Sequence, residues 1–406
     1  MRIMTPAAMR HRLAILETGQ ALIFLALGMW ITATILRTSF FVVSGESFIK
    51  IVRYSAVGIA VFAEITTGKH SWKSIFGLIP FALLSAGALA GDDRYYVQGF
   101  ILIYCARNID FRSLARFCLW LLSILTVIII FSSLVGIIPD YIESSRGRTR
   151  HYLGFRYALY PSELLFAITT LVIYLRKQTF HIPEAFILVS ANAALFYLTN
   201  SRLSFALATL AIVTALFLHR PWHAFTRTRL AALSAGLSFI WCALLALYLT
   251  YSYAHPTKIL RKINGIFGNR LALSYKNLHE YGVHPMGQPL KLFGNGLTAE
   301  GGRNVYGSYN YIDSLYIKMA INYGYIFLIV FLILITLVCL KAWKNREPYL
   351  LLVLVIIAGH CLIDDLSFNL EYNPFILLIG QLAAITSPTS PQKSDRLLDV
   401  SERNLQ

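Results

Sequence analysis

The run LAILETGQALIFLALGMWITATIL (Leu13–Leu36) contains one charged residue, Glu17, and it follows three arginines, Arg2, Arg10 and Arg12. An apolar helix of about 20 residues crosses the roughly 30 Å hydrocarbon core of a bilayer. This run is too long for the apolar region of a signal peptide, and it lacks a small-x-small cleavage site. It is therefore predicted to be a retained transmembrane helix.

Apolar runs of similar length recur along the whole chain. Their centres lie near residues 25, 58, 82, 100, 126, 166, 190, 210, 240, 327, 354 and 378, and 57% of all residues are hydrophobic while 14% are charged. The pattern predicts an all-α, polytopic helical membrane protein with about twelve transmembrane helices, in a single integral membrane domain over residues 1–385. Residues 386–406 are polar and contain Pro and Ser, which is typical of a disordered tail. The five cysteines are odd in number and show no metal-ligand spacing, so neither disulfides nor a zinc site is indicated.

The formal charge is +16, and the cations lie mainly in the segments between the apolar runs. No basic segment belongs to a soluble fold of the kind that recognises nucleic acid. If the N-terminus is cytoplasmic, every segment predicted to lie inside contains Lys or Arg, whereas the short outside segments carry few cations. The tendency of basic residues to stay inside therefore favours two cytoplasmic termini and a cytoplasmic tail. No nucleic-acid partner is expected.

Two segments predicted to lie outside break this tendency, one at about residues 139–156 and a longer one at about 252–312. Long loops cross membranes largely regardless of charge, and arginines near helix ends often contact lipid phosphates, so each cation alone has an ordinary explanation. Both segments, however, are rich in Arg, Tyr, His, Gly and Asn, which grip phosphates, stack on sugars and hydrogen-bond hydroxyls. They are predicted to be functional loops that bind an anionic ligand.

Four stretches occur in the order that is found in one family of bacterial membrane enzymes. They are LGFRYALYPSELL (Leu153–Leu165), TNSRLSFALATL (Thr199–Leu210), GNRLALSYKNLHEYGVHPMGQPLKLFGNGL (Gly268–Leu297) and DSLYIKMAINYG (Asp313–Gly324). In the last stretch a polar pair precedes an aromatic–aliphatic step, with a glycine eleven residues after the first polar position. Over about residues 146–324 the chain resembles the superfamily of O-antigen ligases and polysaccharide repeat-unit (Wzy-like) polymerases.

The resemblance implies a glycosyltransferase in the cytoplasmic membrane of a bacterium. Such a polymerase transfers a glycan from undecaprenyl pyrophosphate to a hydroxyl of a second lipid-linked repeat unit; the energy is stored in the donor, and neither a metal nor a cofactor is implied. The implied partners are the lipid-linked oligosaccharides, membrane lipid and a chain-length regulator. Because the leaving group is anionic, fixed guanidinium groups suit it. The residues predicted to bind substrate are Arg146, Arg148, Arg150, Arg156, Arg202, Arg270 and Tyr316.

Displacement at the anomeric carbon requires a base near the acceptor hydroxyl. Asp313 is the first candidate, because it occupies the family's polar position, although an aspartate before a helix also serves as an N-cap. His279 and His284 in the longer loop are further candidates with a suitable intrinsic pKa. A mechanism that relies on leaving-group stabilisation alone, with no essential base, is also open.

Two other functions remain open. A transferase of the O-antigen-ligase type shares the donor and the architecture, but the ligases carry a histidine where this chain has Asp313. A flippase or transporter of lipid-linked oligosaccharides would also have about twelve spans, yet paired halves and short loops would be expected of it. At the junction of the last two predicted spans, His360, Asp364, Asp365 and Glu371 are predicted either to pair with the loop arginines or to take part in catalysis.

Overall fold

The computed structural model describes residues 6–41, 45–68, 71–145, 148–303, 307 and 309–384, and nearly all of its regular structure is helical. The helices of the first half are α1 (Pro6–Arg37), α2 (Gly45–Thr67), α3 (Trp72–Phe76), α4 (Leu78–Ala90), α5 (Arg94–Cys105), α6 (Phe111–Leu134), α7 (Tyr160–Arg176), α8 (Ile182–Thr199) and α9 (Arg202–Leu216). Those of the second half are α10 (His219–Arg227), α11 (Arg229–Gly236), α12 (Ser238–Ser252), α13 (Lys258–Ile266), α14 (Arg270–Tyr281), α15 (Leu315–Lys318), α16 (Tyr325–Lys344), α17 (Pro348–His360) and α18 (Leu377–Gly380). The all-helical fold class is confirmed, while the predicted tail over 386–406 lies outside the described residues.

Short helical turns of other kinds connect these elements. Met319–Tyr323 is a π-helical turn between α15 and α16, and single turns of π-helix occur frequently at functional sites. The 3₁₀ turns are Ala106–Asn108, Lys177–Thr179, Leu366–Phe368, Pro374–Ile376 and Gln381–Ala383.

The number of membrane spans is smaller than predicted. Within the described ranges, four helices are long and apolar enough to cross a membrane, namely Glu17–Arg37 of α1, α6, α8 and α16. The pairs α9–α10 and α11–α12 raise the number to as many as six if each is one span bent by 83° or 58°. About twelve spans are thus not confirmed, although each predicted centre falls within a helix. Several of these helices are short: α4 and α17 have 13 residues each, or about 20 Å at 1.5 Å per residue.

Large apolar side chains on the surface are consistent with membrane insertion. Trp120 on α6, Tyr197 on α8 and Leu230 on α11 are 69%, 85% and 84% exposed. On α6 the exposed apolar side chains recur at helical spacing, at Trp120, Ile124, Val127, Phe131 and Leu134, which suits contact with lipid or a partner. In the interior, by contrast, rings such as those of Trp30, Phe166 and Phe327 are almost completely buried between helices.

The two segments predicted as functional loops lie together at one face of the bundle, which we call the loop face. The shorter segment forms an antiparallel hairpin of β1 (Ile142–Ser145) and β2 (Arg148–His151), in which Glu143 is paired with Arg150. The longer segment contains α13 and α14. The Leu297 amide donates to the Arg156 carbonyl at 2.8 Å, and Arg303 forms an ion pair with Glu143. These contacts join the two segments, which are far apart in sequence.

The helix α16 connects the loop face to the opposite face. It begins at Tyr325, whose amide donates to the His284 carbonyl of the longer segment at 2.9 Å, and its 20 residues span about 30 Å. Beyond its far end, Glu347 forms an ion pair with Lys177 at 2.6 Å, and the Trp222 indole donates to the Pro348 carbonyl at 2.8 Å. Groups near Tyr325 and groups near Lys344 therefore belong to different faces.

Candidate active site

Arg270 lies at the centre of a buried cluster of charges at the loop face. It is the first residue of α14 and follows a turn in which Gly268 and Asn269 both have positive φ values, 65° and 70°. Its guanidinium lies 3.4 Å from Asp313 Oδ1 and 4.0 Å from Asp364 Oδ2, and it donates to the Ile363 carbonyl. The long segment is thereby fixed to two regions that follow it in the chain, the start of α15 and the end of α17.

Asp313 is 6% exposed, and its carboxylate contacts other side chains and not the amides of a helix N-terminus. The Tyr309 hydroxyl lies 3.2 and 3.1 Å from its two carboxylate oxygens, and Arg270 approaches one of them. The helix α15 begins after Ser314, and no side-chain cap is present there, so Asp313 is not an N-cap. Burial raises the pKa of Asp313 to about 6, while the positive charge of Arg270 opposes this rise. The carboxylate is therefore a stronger base than an exposed aspartate.

Asp364 and Tyr157 complete the surroundings of Arg270. Burial is the main cause of the raised pKa of Asp364, and the negative charge of Glu163 adds to it. Burial also raises the pKa of Tyr157, on which the charges of Asp313, Arg270 and Arg150 act as well. Arg150 of the hairpin is thus an electrostatic neighbour of the cluster. The prediction that an acid near the end of α17 pairs with a loop arginine is confirmed at Asp364.

A second ion pair lies next to this cluster. Lys318 Nζ lies 2.6 Å from Asp365 Oδ2 and donates to the Tyr311 hydroxyl at 2.9 Å, while that hydroxyl donates to the same carboxylate at 2.7 Å. Lys318 is the last residue of α15 and is 9% exposed. Because each charge has an opposite charge and a hydrogen bond, the group satisfies the usual conditions for buried ions.

A third buried pair contains an acid that sequence reasoning passed over. His360 Nε2 lies 3.1 Å from Glu163 Oε2, and both residues are at most 1% exposed. The Ser204 hydroxyl donates to Glu163 Oε1 at 2.5 Å, and Ser367 Oγ lies 2.9 Å from His360 Nδ1. The sequence did contain a signal for this pair: Glu163 is the one acid in the apolar start of α7. A charge without a partner is costly there, so a buried partner could have been expected.

Glu163 and His360, together with Asp364, are also the described residues that could hold a metal ion. One ligand atom from each lies within 4.8 Å of the others, and two carboxylates with one imidazole are suitable donors for a divalent cation. His360 lies beside Glu163, and Arg270 lies beside Asp364. Each of the two acids therefore has a basic partner within the chain itself.

The other predicted substrate-binding arginines occupy different positions at the loop face. Arg148 is exposed and Arg150 is half-buried on β2, while Arg156 donates through Nε to the Ser39 carbonyl at 3.0 Å. Arg202 is exposed at the start of α9. Within the described part of the chain, no carboxylate lies within 4.0 Å of Arg150, Arg156 or Arg202. Their guanidinium groups are available for an anion; the remaining candidate, Arg146, lies outside the described residues.

The remaining candidates lie apart from the cluster. His279 and His284 are exposed on the longer segment, and His284 Nε2 lies 3.2 Å from the Tyr281 carbonyl. Tyr316 is completely buried, and its hydroxyl donates to the Ala358 carbonyl at 2.9 Å. The prediction that Tyr316 contacts substrate does not fit this conformation, because its ring packs between helices.

The prominent cavities do not adjoin this cluster. Two of them, of about 640 and 660 Å³, lie beyond the other end of α16 and are lined by Gln178 and His223 among others. The candidate site is consequently defined by side-chain placement and charge. Comparisons with protein-family models, with curated proteins and with solved structures found no match for this chain.

Proposed function

We propose that this protein is a polymerase that joins undecaprenyl-pyrophosphate-linked oligosaccharide repeat units into a surface polysaccharide. The observation that carries the proposal is the contact between Arg270 and Asp313, a cation and a buried carboxylate of raised pKa, where two cation-rich segments meet. The proposal includes about twelve crossings, some made by short helices, in the cytoplasmic membrane of a bacterium. Both termini are then cytoplasmic and the loop face is external.

The donor of this reaction presents a pyrophosphate at the membrane surface. Arg150 and Arg156 are suited to bind it, because no described carboxylate lies within 4.0 Å of them and each planar guanidinium can bind two phosphate oxygens. Arg270 already contacts two carboxylates. Its contribution is to hold Asp313 in place and to add positive charge as the leaving group departs.

Asp313 is assigned the proton-acceptor role. The acceptor hydroxyl oxygen attacks the anomeric carbon, the bond from that carbon to the pyrophosphate oxygen breaks, and the hydroxyl proton passes to Asp313. The pyrophosphate leaves with the bonding electron pair, and the arginines stabilise its charge. A base works best when its pKa is near the working pH, and burial moves Asp313 in that direction.

A second candidate function is favoured by the buried pairs next to the site. Lys318–Asp365 and His360–Glu163 are ionisable pairs inside a helical bundle, and such pairs are typical of proton-coupled transporters. A flippase for lipid-linked oligosaccharides would use them during transport. The large structured segments at the loop face have no evident role in that function, which is why polymerisation is preferred.

Deletion of the gene followed by analysis of lipid-linked and surface glycans tests the proposal. Polymerisation predicts that surface material falls to single repeat units, and that wild-type protein but not Asp313→Asn restores long chains. Long polymer that stays lipid-linked would instead indicate a ligase, and repeat units trapped at the cytoplasmic side a flippase. The matched control is Asp110→Asn, because Asp110 caps α6 at the opposite face through the Ser113 amide at 3.0 Å and Asn caps equally well.

A further inference from the structure

Three adjoining cavities form a recess at the face opposite to the candidate active site. Their volumes are about 640, 660 and 480 Å³, and all three have Gln178 and His223 in their walls. The walls come from the turn between α7 and α8, from α10, and from the turn between α16 and α17. We call this space the basic recess.

The charge of the basic recess is strongly positive. Among the described wall residues Glu347 is the one acid, and it is paired with Lys177 at 2.6 Å, while Arg176 is paired with Glu184 of α8. In the described part of the chain, Arg112, Arg227 and Arg346 have no carboxylate within 4.0 Å, and the same is true of Lys344. The cationic wall residues are Arg112, Arg176, Lys177, Arg227, Lys344 and Arg346.

His223 is a further wall residue, and its ring contains an unsatisfied polar atom. His223 Nε2 is buried and has no hydrogen-bond partner among the described residues. A buried polar nitrogen without a partner costs free energy. An anionic ligand would neutralise the unpaired cations of the recess, whereas it would reach the occluded His223 Nε2 only after the ring rotates.

The angle between α9 and α10 sets the position of the recess relative to a bilayer that α9 crosses. α10 meets α9 at 83°, so α10 lies along the bilayer surface if α9 crosses the membrane. Its sequence HRPWHAFTR combines cations with aromatic rings, and nearby Phe217, Phe225 and Leu230 are exposed. A basic space therefore adjoins an apolar surface, which is the arrangement that a phospholipid requires.

We infer that the basic recess binds the phosphate headgroup of an anionic membrane lipid, whose acyl chains cover the apolar surface around Phe217 and Leu230. Guanidinium groups of Arg227 and Arg346 bind the phosphate oxygens. Basic pockets between transmembrane helices are known to favour such headgroups. The site is separate from the proposed glycan chemistry, since the length of α16 lies between them.

Native mass spectrometry of the full chain in a neutral detergent tests this inference. The probes are phosphatidylglycerol, phosphatidylcholine with the same acyl chains, and inorganic phosphate. We expect wild type to retain phosphatidylglycerol in preference to phosphatidylcholine, and Arg227→Gln with Arg346→Gln to bind it about 25-fold more weakly, at about fivefold for each cation removed. The control Arg220→Gln lies on the same α10 but outside the recess walls, and it should change binding less than about twofold.

Several results would overturn the inference. Equal binding of the two lipids, an unchanged affinity in the double variant, or an equal loss in Arg220→Gln would each show that no specific headgroup site exists. Displacement of phosphatidylglycerol by inorganic phosphate would show a site for a soluble anion instead. If the double variant does not fold, Lys344→Gln replaces it, with an expected loss of about fivefold.

Discussion

Asp313→Asn is expected to abolish polymer formation and, at neutral pH, to stabilise the folded protein. Burial raises the pKa of Asp313 to about 6 from an ordinary value of 3.8, against the opposing charge of Arg270. A shift of about two pKa units corresponds to about 3 kcal/mol. Ionised Asp313 therefore costs the folded state about that much relative to the unfolded chain. A neutral Asn of the same shape removes the cost.

The pH dependence of this effect has a defined sign. Because the pKa of Asp313 is raised in the folded state, the contribution of this group to stability is fully present below about pH 4 and is lost as the pH rises through about 6. The Asn variant has no such loss. Its free energy of unfolding should therefore match that of wild type near pH 4 and exceed it by about 3 kcal/mol above about pH 7.

Unfolding of the detergent-purified protein, followed across this pH range, measures the stability difference, and glycan chain length in a deletion host measures activity. Asp110→Asn should change neither quantity. A variant that unfolds more readily than wild type at neutral pH, or a difference that is independent of pH, would refute the argument from burial. Long polymer made by Asp313→Asn would remove Asp313 from the role of base.

Three further substitutions test other contacts. Arg270→Lys keeps the charge but loses the planar fork, so kcat/KM should fall by about 10- to 100-fold; unchanged kinetics would argue against a role for the guanidinium. Glu163→Gln leaves His360 without its partner in a fully buried place, and a loss of about 3–5 kcal/mol is expected in denaturant unfolding; a loss below about 1 kcal/mol would mean that the pair is not charged. Gly324→Ala should lower the unfolding temperature, because φ is 93° and the added Cβ would lie 2.5 Å from a main-chain oxygen of the longer segment. Gly58→Ala, inside α2 with open space around it, should not lower the unfolding temperature, and an equal loss there would contradict the steric argument.

The helices themselves could be predicted because hydrophobicity is a local property. All twelve predicted centres fall in helices, since an apolar run buries its backbone polar groups best as a helix. The lengths of those helices were not predictable in the same way. α17 ends at His360, where the following residues turn inward so that the Ile363 carbonyl and Asp364 reach Arg270. The end of α17 thus depends on Arg270, about 90 positions earlier in the chain. A sequence window of helix length does not include both.

The residues of the candidate site also fall into two groups, those that the sequence indicated and those that it did not. Asp313 was predicted because it occupies the polar position of the family that the chain resembles, and Arg270 because it lies in a cation-rich outer segment. The two contact each other, and Asp313 is not an N-cap. The buried position of Tyr316 was not visible, because the same motif fits a ring that faces substrate and a ring that packs between helices. Glu163 was missed, since a lone acid in an apolar run has no partner in the adjacent sequence.

The sequence by itself therefore determined a helical chain with membrane-spanning character and two cation-rich segments between its apolar runs. The tertiary structure decided that these segments meet, that Arg270 is shared by Asp313 and Asp364, and that a separate basic recess lies beyond the other end of α16. The physical reason is the range of the forces. Helix formation is governed by neighbours within a few residues, whereas a buried charge is stable only beside a partner that the fold brings from elsewhere in the chain.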